Sequence, residues 1–404
     1  PITLATGAIT ITTADDAINL QGTVDGGQAL TLSSGSGAIT ADGAIGSSTA
    51  LTSLTVNSSG AGTIEITDIG TSSAAGVSGA TAIGNTSTGT LTLDGTVYTT
   101  TGSQTYTAAT GGGNIDITNT AGTTFTTTNA AIAFNTSGVD LANNATTTID
   151  TGTAAGNVTF QGAIETNGGD NDILTVTSGT GTVTFTGAIG ATEELGGLNV
   201  NASSGNGVIT FTSTIGDSGN AGVIGTTSIG NAATSNLNFN STIYSFDGAT
   251  TITAAAGDTI DMGAAAATTF TTAADNITFA TGNIELANGS NLTVDTGAAG
   301  GNITIGEIGG TSVETVTLDA GTGTTSVGVI GSGTEIGALS IGSAENGGIT
   351  LNGAITTDGV VTLDGPITLA TGAITITTAD DAINLQGTVA VSYTHLTLPT
   401  SVTV

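Results

Sequence analysis

Short runs in which an apolar residue alternates with a polar one recur along the whole chain: AITITT, AINLQG, ALTLSS, TIEITD, NVTFQG, TVTFTG, NITIGE and GVVTLDG. In the first of them Ile9 and Ile11 face one way while Thr10 and Thr12 face the other, the period-two signature of a strand with one buried side. Gly, Asn and Asp interrupt the runs about every 8–12 residues and supply turn positions of positive φ. No stretch keeps a 3.6-residue apolar period. Ala264–Ala267 invites a helix but leads directly into TTFTT, which alternates. The pattern predicts an all-β chain. Its inward set is expected to include Ile9, Ile11, Ile18, Leu20, Leu30, Leu32, Val56, Ile64, Ile66, Val158, Phe160, Leu174, Val176, Val183, Phe185, Ile303 and Ile305.

A larger period lies over the small one. ALTLSSGSGAITADGAIGSSTALTSLTV from Ala29 matches ILTVTSGTGTVTFTGAIGATEELGGLNV from Ile173, and TVTLDAGTGTTSVGVIGSGTEIGALSI from Thr315 is a third copy. Leu32, Val176 and Leu318 are equivalent, as are the turns Gly35–Gly37, Gly179–Gly181 and Gly321–Gly323. Further on, Phe125 matches Phe270, Phe134 matches Phe279, Asp150 matches Asp295 and Val158 matches Ile303. Parallel stacking is expected to make Phe125 and Phe270 equivalent in their units. PITLATGAITITTADDAINLQGTV at Pro1 returns letter for letter at Pro366–Val389. The chain therefore reads as 1–28, the end of a preceding unit; 29–172, unit one; 173–314, unit two; and 315–389, a short third unit. Together they make one super-repeat and the opening of the next. A recent duplication gives such a perfect repeat, and so does an assembly artefact joining identical reads.

After Val389 the expected DGGQALTL is replaced by AVSYTHLTLPTSVTV, which holds the single His, His395, and neither Gly nor acid. Val391–Thr400, VSYTHLTLPT, resembles one reading frame of a sequencing-adapter DNA sequence. The resemblance implies that 390–404 is a non-native, scar-like tail, and that His395 carries no chemistry. The chain opens on Pro1 rather than Met and is expected to be a fragment of a longer one.

Composition sharpens the picture. There are 65 Gly, 3 Pro, no Cys and no Trp, and aromatics are 3% of the residues, so a thin core one or two side chains deep is expected. The absence of Cys decides nothing about compartment. The 31 acidic residues stand without a single Lys or Arg. Phosphate backbones need cations, so nucleic acid is excluded as a partner, and a polybasic membrane-surface role fails for the same reason. No apolar run has membrane length, and no membrane insertion is expected of this segment. The acidity itself is expected to serve solubility.

Nested repeats of short strands with Gly-rich turns allow a solenoid, a string of sandwiches or a β-roll. Sandwiches need thicker aromatic cores and linkers, and neither is visible. The expectation is a parallel β-solenoid with about 20–25 residues per coil and a rod near 80 Å long. The runs GTLTLDGTVYTTTGSQTYTAAT, GTVTFTGAIG and ALTSLTVNSSGAGTIEI resemble the strand repeats of very large bacterial surface proteins of the filamentous-haemagglutinin and autotransporter-passenger kind. That resemblance implies a right-handed parallel β-helix, exported to the cell exterior and working in adhesion or biofilm. Its partners would be host-cell, matrix or biofilm surfaces met through other parts of the chain, with adjacent repeats as neighbours. The family's secretion domain and outer-membrane translocator have no counterpart in these 404 residues, which leaves the export route open.

Candidate chemistry is sparse. The densest acidic pairs are Asp15–Asp16, Asp170/Asp172, Glu193–Glu194 and Asp258/Asp261. Glycoside hydrolysis needs two carboxylates at a set separation, but adjacent strand residues point to opposite faces, so the contiguous pairs belong in turns. Pectate-type elimination needs Arg or Lys, and there are none. No catalytic or cofactor-binding residue is assigned, and an enzyme is not expected. The calcium β-roll repeat GGxGxDxUx does not occur; GGNIDIT at Gly112 and GGDNDIL at Gly168 come nearest. Calcium wants six to eight oxygens, so a dedicated site needs clustering that isolated turn Asp residues lack, whereas adventitious calcium between coils fits the charge. A calcium-stabilised β-roll remains the alternative reading, and a carbohydrate-active β-helix enzyme is the second. The pairs Thr10/Thr12, Thr90/Thr92, Thr184/Thr186 and Thr210/Thr212 raise ice binding, which needs them in consecutive coils on one flat face; they read as scattered. The expected role is a structural stalk with a polar display surface.

Overall fold

In the computed structural model, which describes residues 1–57, 62–168, 171–342, 347–370 and 373–391, the alternating runs form 43 short strands. No helix occurs among the described residues. A three-residue strand such as Ile64–Ile66 buries both Ile and exposes Glu65, so the alternation is realised residue by residue. The strands pair in parallel and wind into a β-solenoid of about 16 turns. One coil hands its backbone groups to the next: the Ile18 N–H donates to the Ala38 carbonyl at 2.9 Å, and the Asp42 N–H donates back to Leu20 at 3.0 Å.

Three ladders of inward residues run the length of the rod. Face 1 begins Ile11–Leu32–Val56–Ile83 and continues through Tyr106, Phe134, Phe160, Phe185, Phe211 and Phe239 to Met262 and Leu286. Face 2 runs from Ile18, Ile39, Ile64 and Leu91 through Ile164, Ile215, Tyr244 and Phe270 to Leu318, Leu363 and Leu385. Face 3 runs from Val24, Ile45, Ile69 and Tyr98 through Phe125, Val176 and Phe279 to Leu351 and Leu369. The chain visits the faces in the order 1, 2, 3. Strands Ile303–Gly309 and Thr324–Ile330 run round the corner from face 3 to face 1.

The units do not superpose face on face. From Leu32 to Val176 the chain makes 17 face-to-face steps, one short of six full turns, and from Val176 to Leu318 it again makes 17. Leu32 therefore lies on face 1, Val176 on face 3 and Leu318 on face 2. The expected equivalence of Phe125 and Phe270 is corrected accordingly: both rings are buried, but Phe125 sits on face 3 between Tyr98 and Ile149, and Phe270 on face 2 between Tyr244 and Val294. A unit fits in both orientations because the three sides of the coil are interchangeable. The equivalent turn glycines move with them. Gly35, Gly179 and Gly321 all have positive φ (57°, 55° and 51°). A Cβ on Gly35 would stand 1.4 Å from the Ala14 carbonyl oxygen in the coil below. The perfect repeat behaves differently. Ile11 and its copy Ile376 both lie on face 1, 15 turns apart, with Ile376 one inward position out of register in the Ile9 column.

All of the expected inward set points into the rod; Ile9 and Ile11 are half-buried, because no described coil lies beneath them, and the rest are buried. The core is not built from aliphatics alone. All nine Phe and three of the four Tyr are buried inside it, concentrated between Tyr98 and Phe279. Residues 392–404, including His395, lie outside the described residues. The ladder nevertheless runs past the expected boundary at 390, with Ala390 in register with Thr368.

Candidate functional surface

Outward positions inherit the stacking of inward ones, so like side chains fall into columns one strand spacing apart. The most continuous column lies on face 3. It comprises Thr124, Thr148, Thr175, Asn199, Ser228, Thr251, Thr278, Thr304, Ser326, Thr350 and Thr368, eleven consecutive coils with no charge. A sparser column on face 1 holds Thr10, Thr31 and Thr55, then Thr159, Thr184 and Thr210. On face 2, Thr269, Thr293, Thr317, Ser340, Thr362 and Asn384 stack in turn. Thr31, Thr175 and Thr317 occupy one position of the unit, so the unit carries its hydroxyl stripe to each face. Rungs are joined locally, as where Asn238 Nδ2 donates to Thr210 Oγ1 at 3.0 Å. Of the Thr-x-Thr pairs, Thr10/Thr12, Thr184/Thr186 and Thr210/Thr212 lie on face 1, whereas Thr92 faces out from face 2. Thr184/Thr186 and Thr210/Thr212 are on consecutive coils while the other pairs stand apart from them, and Asn and Ser share the longest hydroxyl column with Thr.

Carboxylates have a structural use that composition does not reveal. Asp25 Oδ1 accepts the N–H groups of Ser48 (2.7 Å) and Thr49 (3.1 Å) one coil later. Asp68 Oδ1 does the same for Thr96 (2.8 Å) and Val97 (3.0 Å). Glu165 Oε2 accepts from Thr192 (3.1 Å) and Glu193 (3.0 Å). Corner loops of successive coils are thus held by acceptors, a task Asn performs elsewhere: Asn276 Oδ1 takes the Asn302 N–H and Asn302 Oδ1 the Thr324 N–H. Asp25 and Glu165 directly follow the inward Val24 and Ile164, whereas Asp68 directly precedes the inward Ile69, so no single spacing in the sequence finds these caps.

The acidic pairs singled out from sequence do not converge. Asp15 and Asp16 lie in a bend, where Asp15 accepts from the Ser36 side chain (2.7 Å) and backbone, which hold its carboxyl below the ordinary value. Glu193 and Glu194 lie in a corner loop. Asp172 is buried and accepts the Asn144 N–H, while Asp170 lies outside the described residues. Asp258 is in a turn, and Asp261 faces out from strand Thr259–Met262 with Thr259 Oγ1 donating to it at 2.9 Å. Gly112 opens the approach to Asp116, which faces out from strand Ile115–Ile117.

Acids that the sequence left apart do meet. Asp116, Asp140 and Glu165 stack on consecutive coils of face 2. Burial between neighbours raises all three carboxyls. The Asp140 charge pushes Asp116 up further, and Asn114 Nδ2, donating to Asp140 at 2.7 Å, opposes the rise there. The pair holds a proton more tightly than two separate carboxylates. In the next unit Asp261 and Glu285 repeat the arrangement on face 1, and burial, Asp261 and Glu307 raise Glu285. Among the described residues no group of three acidic or His side chains is arranged to hold a metal ion.

Shallow grooves add to the surface. One of about 440 Å³ is lined by Asp150, Thr153, Thr177, Ser204, Asn206 and Asn231 among others. The second, about 380 Å³, holds Glu194, Asp217 and Asp247. Asp217 is committed to its own turn, where the Gly219 (2.6 Å) and Asn220 (2.8 Å) N–H groups lower its carboxyl. Every aromatic ring among the described residues is buried, so neither groove has a stacking platform for a sugar. In comparison with known proteins, no family model, no curated protein and no solved structure matches this chain.

Proposed function

We propose that the chain is a structural stalk and adhesion segment of an extracellular bacterial repeat protein, giving reach and a polar display surface. The observation that carries this reading is the placement of Thr31, Thr175 and Thr317 on three different faces by a unit of 17 steps. Such a unit presents one stripe chemistry in every direction around a rod, which suits contact with an extended surface better than capture of one molecule in one pocket. The resemblance to bacterial surface-repeat proteins agrees with it.

Beads carrying the chain at one end test both halves of the proposal. The chain is expected to hold a bead roughly 75 Å from the support, the length of its coils at one strand spacing each. It is also expected to retain beads under flow on polysaccharide- or matrix-coated glass. An unfolded layer thickness removes the stalk. Retention no better than that of an acidic coil of equal charge, or unchanged by T31V/T175V/T317V, removes the adhesion role. The acidic columns favour one competing reading, a calcium-stabilised β-roll, which the last experiment of the Discussion separates.

A further inference from the structure

Charge is spread unevenly round the rod. Face 2 carries Asp116, Asp140 and Glu165, and further on Asp295 and Asp319. Face 1 carries Asp261 and Glu285, with Glu307 just past the corner from face 3. On face 3 itself the paired strand positions from Ile173 to Leu369 hold no charged residue, in a chain of 31 carboxylates. The outward rungs there are short Thr, Ser and Asn side chains one strand spacing apart. They make a strip about 40 Å long and about 15 Å wide. The strip lies along the side of the rod, so it owes nothing to either end of the chain.

We infer that face 3 is a dimer interface, two copies of this chain lying side by side with their uncharged strips in contact. Three observations commit the occupant to a second copy. The first is charge. A cationic partner is drawn to the carboxylate ladders of faces 1 and 2, and an anionic one is repelled by the exposed Asp247 and Asp275 at the edge of the strip. A neutral surface is what remains, and the same strip on a second copy is neutral over the same length. The second is register: both strips repeat at one strand spacing, and each hydroxyl can donate and accept, so rungs can be paired across the contact. The third is area. About 600 Å² a side, about 1,200 Å² in all, reaches the lower bound of stable interfaces. Thr is stiff at χ1, so little side-chain freedom is lost on contact. One face alone is uncharged over such a length, so the contact joins like to like and closes at the dimer. The edge carboxylates make it salt-dependent. The inference concerns assembly and does not rest on the adhesion reading.

Sedimentation of the full chain tests it. At about 0.01 M salt, where carboxylates repel over about 30 Å, a 38.4 kDa monomer is expected. At about 0.5 M NaCl a dimer of twice that mass is expected, seen by electron microscopy as paired rods no longer than the single one. T251D/T304D puts carboxylates on two exposed rungs of the strip and is expected to weaken the dimer by about 10-fold or more. T269D/T317D adds the same charge to face 2 and is expected to change it by less than about twofold. Circular dichroism checks that each variant is folded, and T304D alone repeats the test if the double variant is not. A chain monomeric at every salt concentration overturns the inference. So do rods that lengthen, species beyond the dimer, or equal weakening by the face 2 variant. A monomer that instead binds a neutral glucan, and loses it in T251D/T304D, gives the strip to a polysaccharide and overturns the inference as well.

Discussion

Phe134 and Phe160 stack face to face in neighbouring coils, with centroids 4.8 Å apart and planes 6° from parallel. The spacing is that of parallel strands, so the backbone ladder sets the ring separation. Tyr106 below and Phe185, Phe211 and Phe239 above extend the pile to six rings. Tyr98, Phe125, Tyr244 and Phe270 meet it edge-on or continue it from the other faces. Each such contact adds about 0.5–1.5 kcal/mol beyond the area it buries. These contacts are concentrated in the middle of the rod, between Tyr98 and Phe279.

Phe160→Ala removes the ring that two others stack upon. A loss of about 3–5 kcal/mol is expected in chemical denaturation. Because each coil contacts only its neighbours, hydrogen exchange should quicken in the adjacent coils and stay unchanged near Ile341. A loss below about 1 kcal/mol would show that the stack contributes little beyond aliphatic packing.

Gln104 is a second sensitive point. It replaces an aliphatic residue in the face 1 ladder and is fully buried. Its Nε2 donates to the Tyr98 carbonyl (2.7 Å), Thr100 Oγ1 (3.1 Å) and the Thr126 carbonyl (3.0 Å), and its Oε1 accepts from the Tyr106 hydroxyl (2.9 Å). Gln104→Leu keeps the volume but strands several polar groups. It is expected to cost about 2–4 kcal/mol. The midpoint of urea unfolding reads this directly, and a neutral result would mean that water replaces the amide.

Period-two alternation and internal homology made the strands, the coil and the inward residues legible, because each strand needs only its own pattern to choose a face. What the sequence did not disclose is where a unit ends relative to the turn. Coil length varies between loops, so a 17-step unit cannot be told from an 18-step one by counting residues, and Leu32 and Val176 read as simple equivalents. The aromatic pile was hidden for a related reason. Phe134 and Phe160 are 26 residues apart, and only the ladder shows them to be neighbours. The caps made by Asp25 and Asp68 looked like surface charge, since their partners lie one coil on.

The stacked carboxyls give stability a definite sign with pH. Asp116, Asp140, Glu165 and Glu285 hold protons more tightly folded than unfolded. Their contribution is fully present below the ordinary carboxylate range near 4 and is lost as pH rises through their folded values. Asp15, Asp217 and Glu335 shift the other way, so their contribution is lost as pH falls below that range. The melting temperature should therefore peak just above the ordinary carboxylate range near 4 and fall as pH rises through the folded values of the raised group. Asp116→Asn presents a donor to Asp140 without the like charge. It is expected to gain about 0.2–1 kcal/mol at pH 7 and to flatten that fall. An unchanged slope would remove the column as its cause.

Salt and calcium separate a passive rod from a metal-dependent one. With 31 carboxylates and no Lys or Arg, repulsion between coils is uncompensated by the protein itself. At about 0.01 M salt the Debye length is about 30 Å, far beyond the strand spacing, so every coil feels several others; near 0.15 M it is about 8 Å. The melting temperature is expected to rise over that range, and to rise further with millimolar calcium as the ion gathers along the acidic columns. On the passive reading the chain is folded without calcium, and magnesium stabilises it in the same gradual way. Circular dichroism of the chelator-treated chain is the deciding measurement. A strand signal already present, with a smooth rise in melting temperature for either ion, keeps the stalk reading. A chain unfolded in chelator that folds cooperatively on calcium, and not on magnesium, would replace it with the β-roll, because a few widely spaced carboxylates cannot impose such selectivity without an assembled oxygen cage.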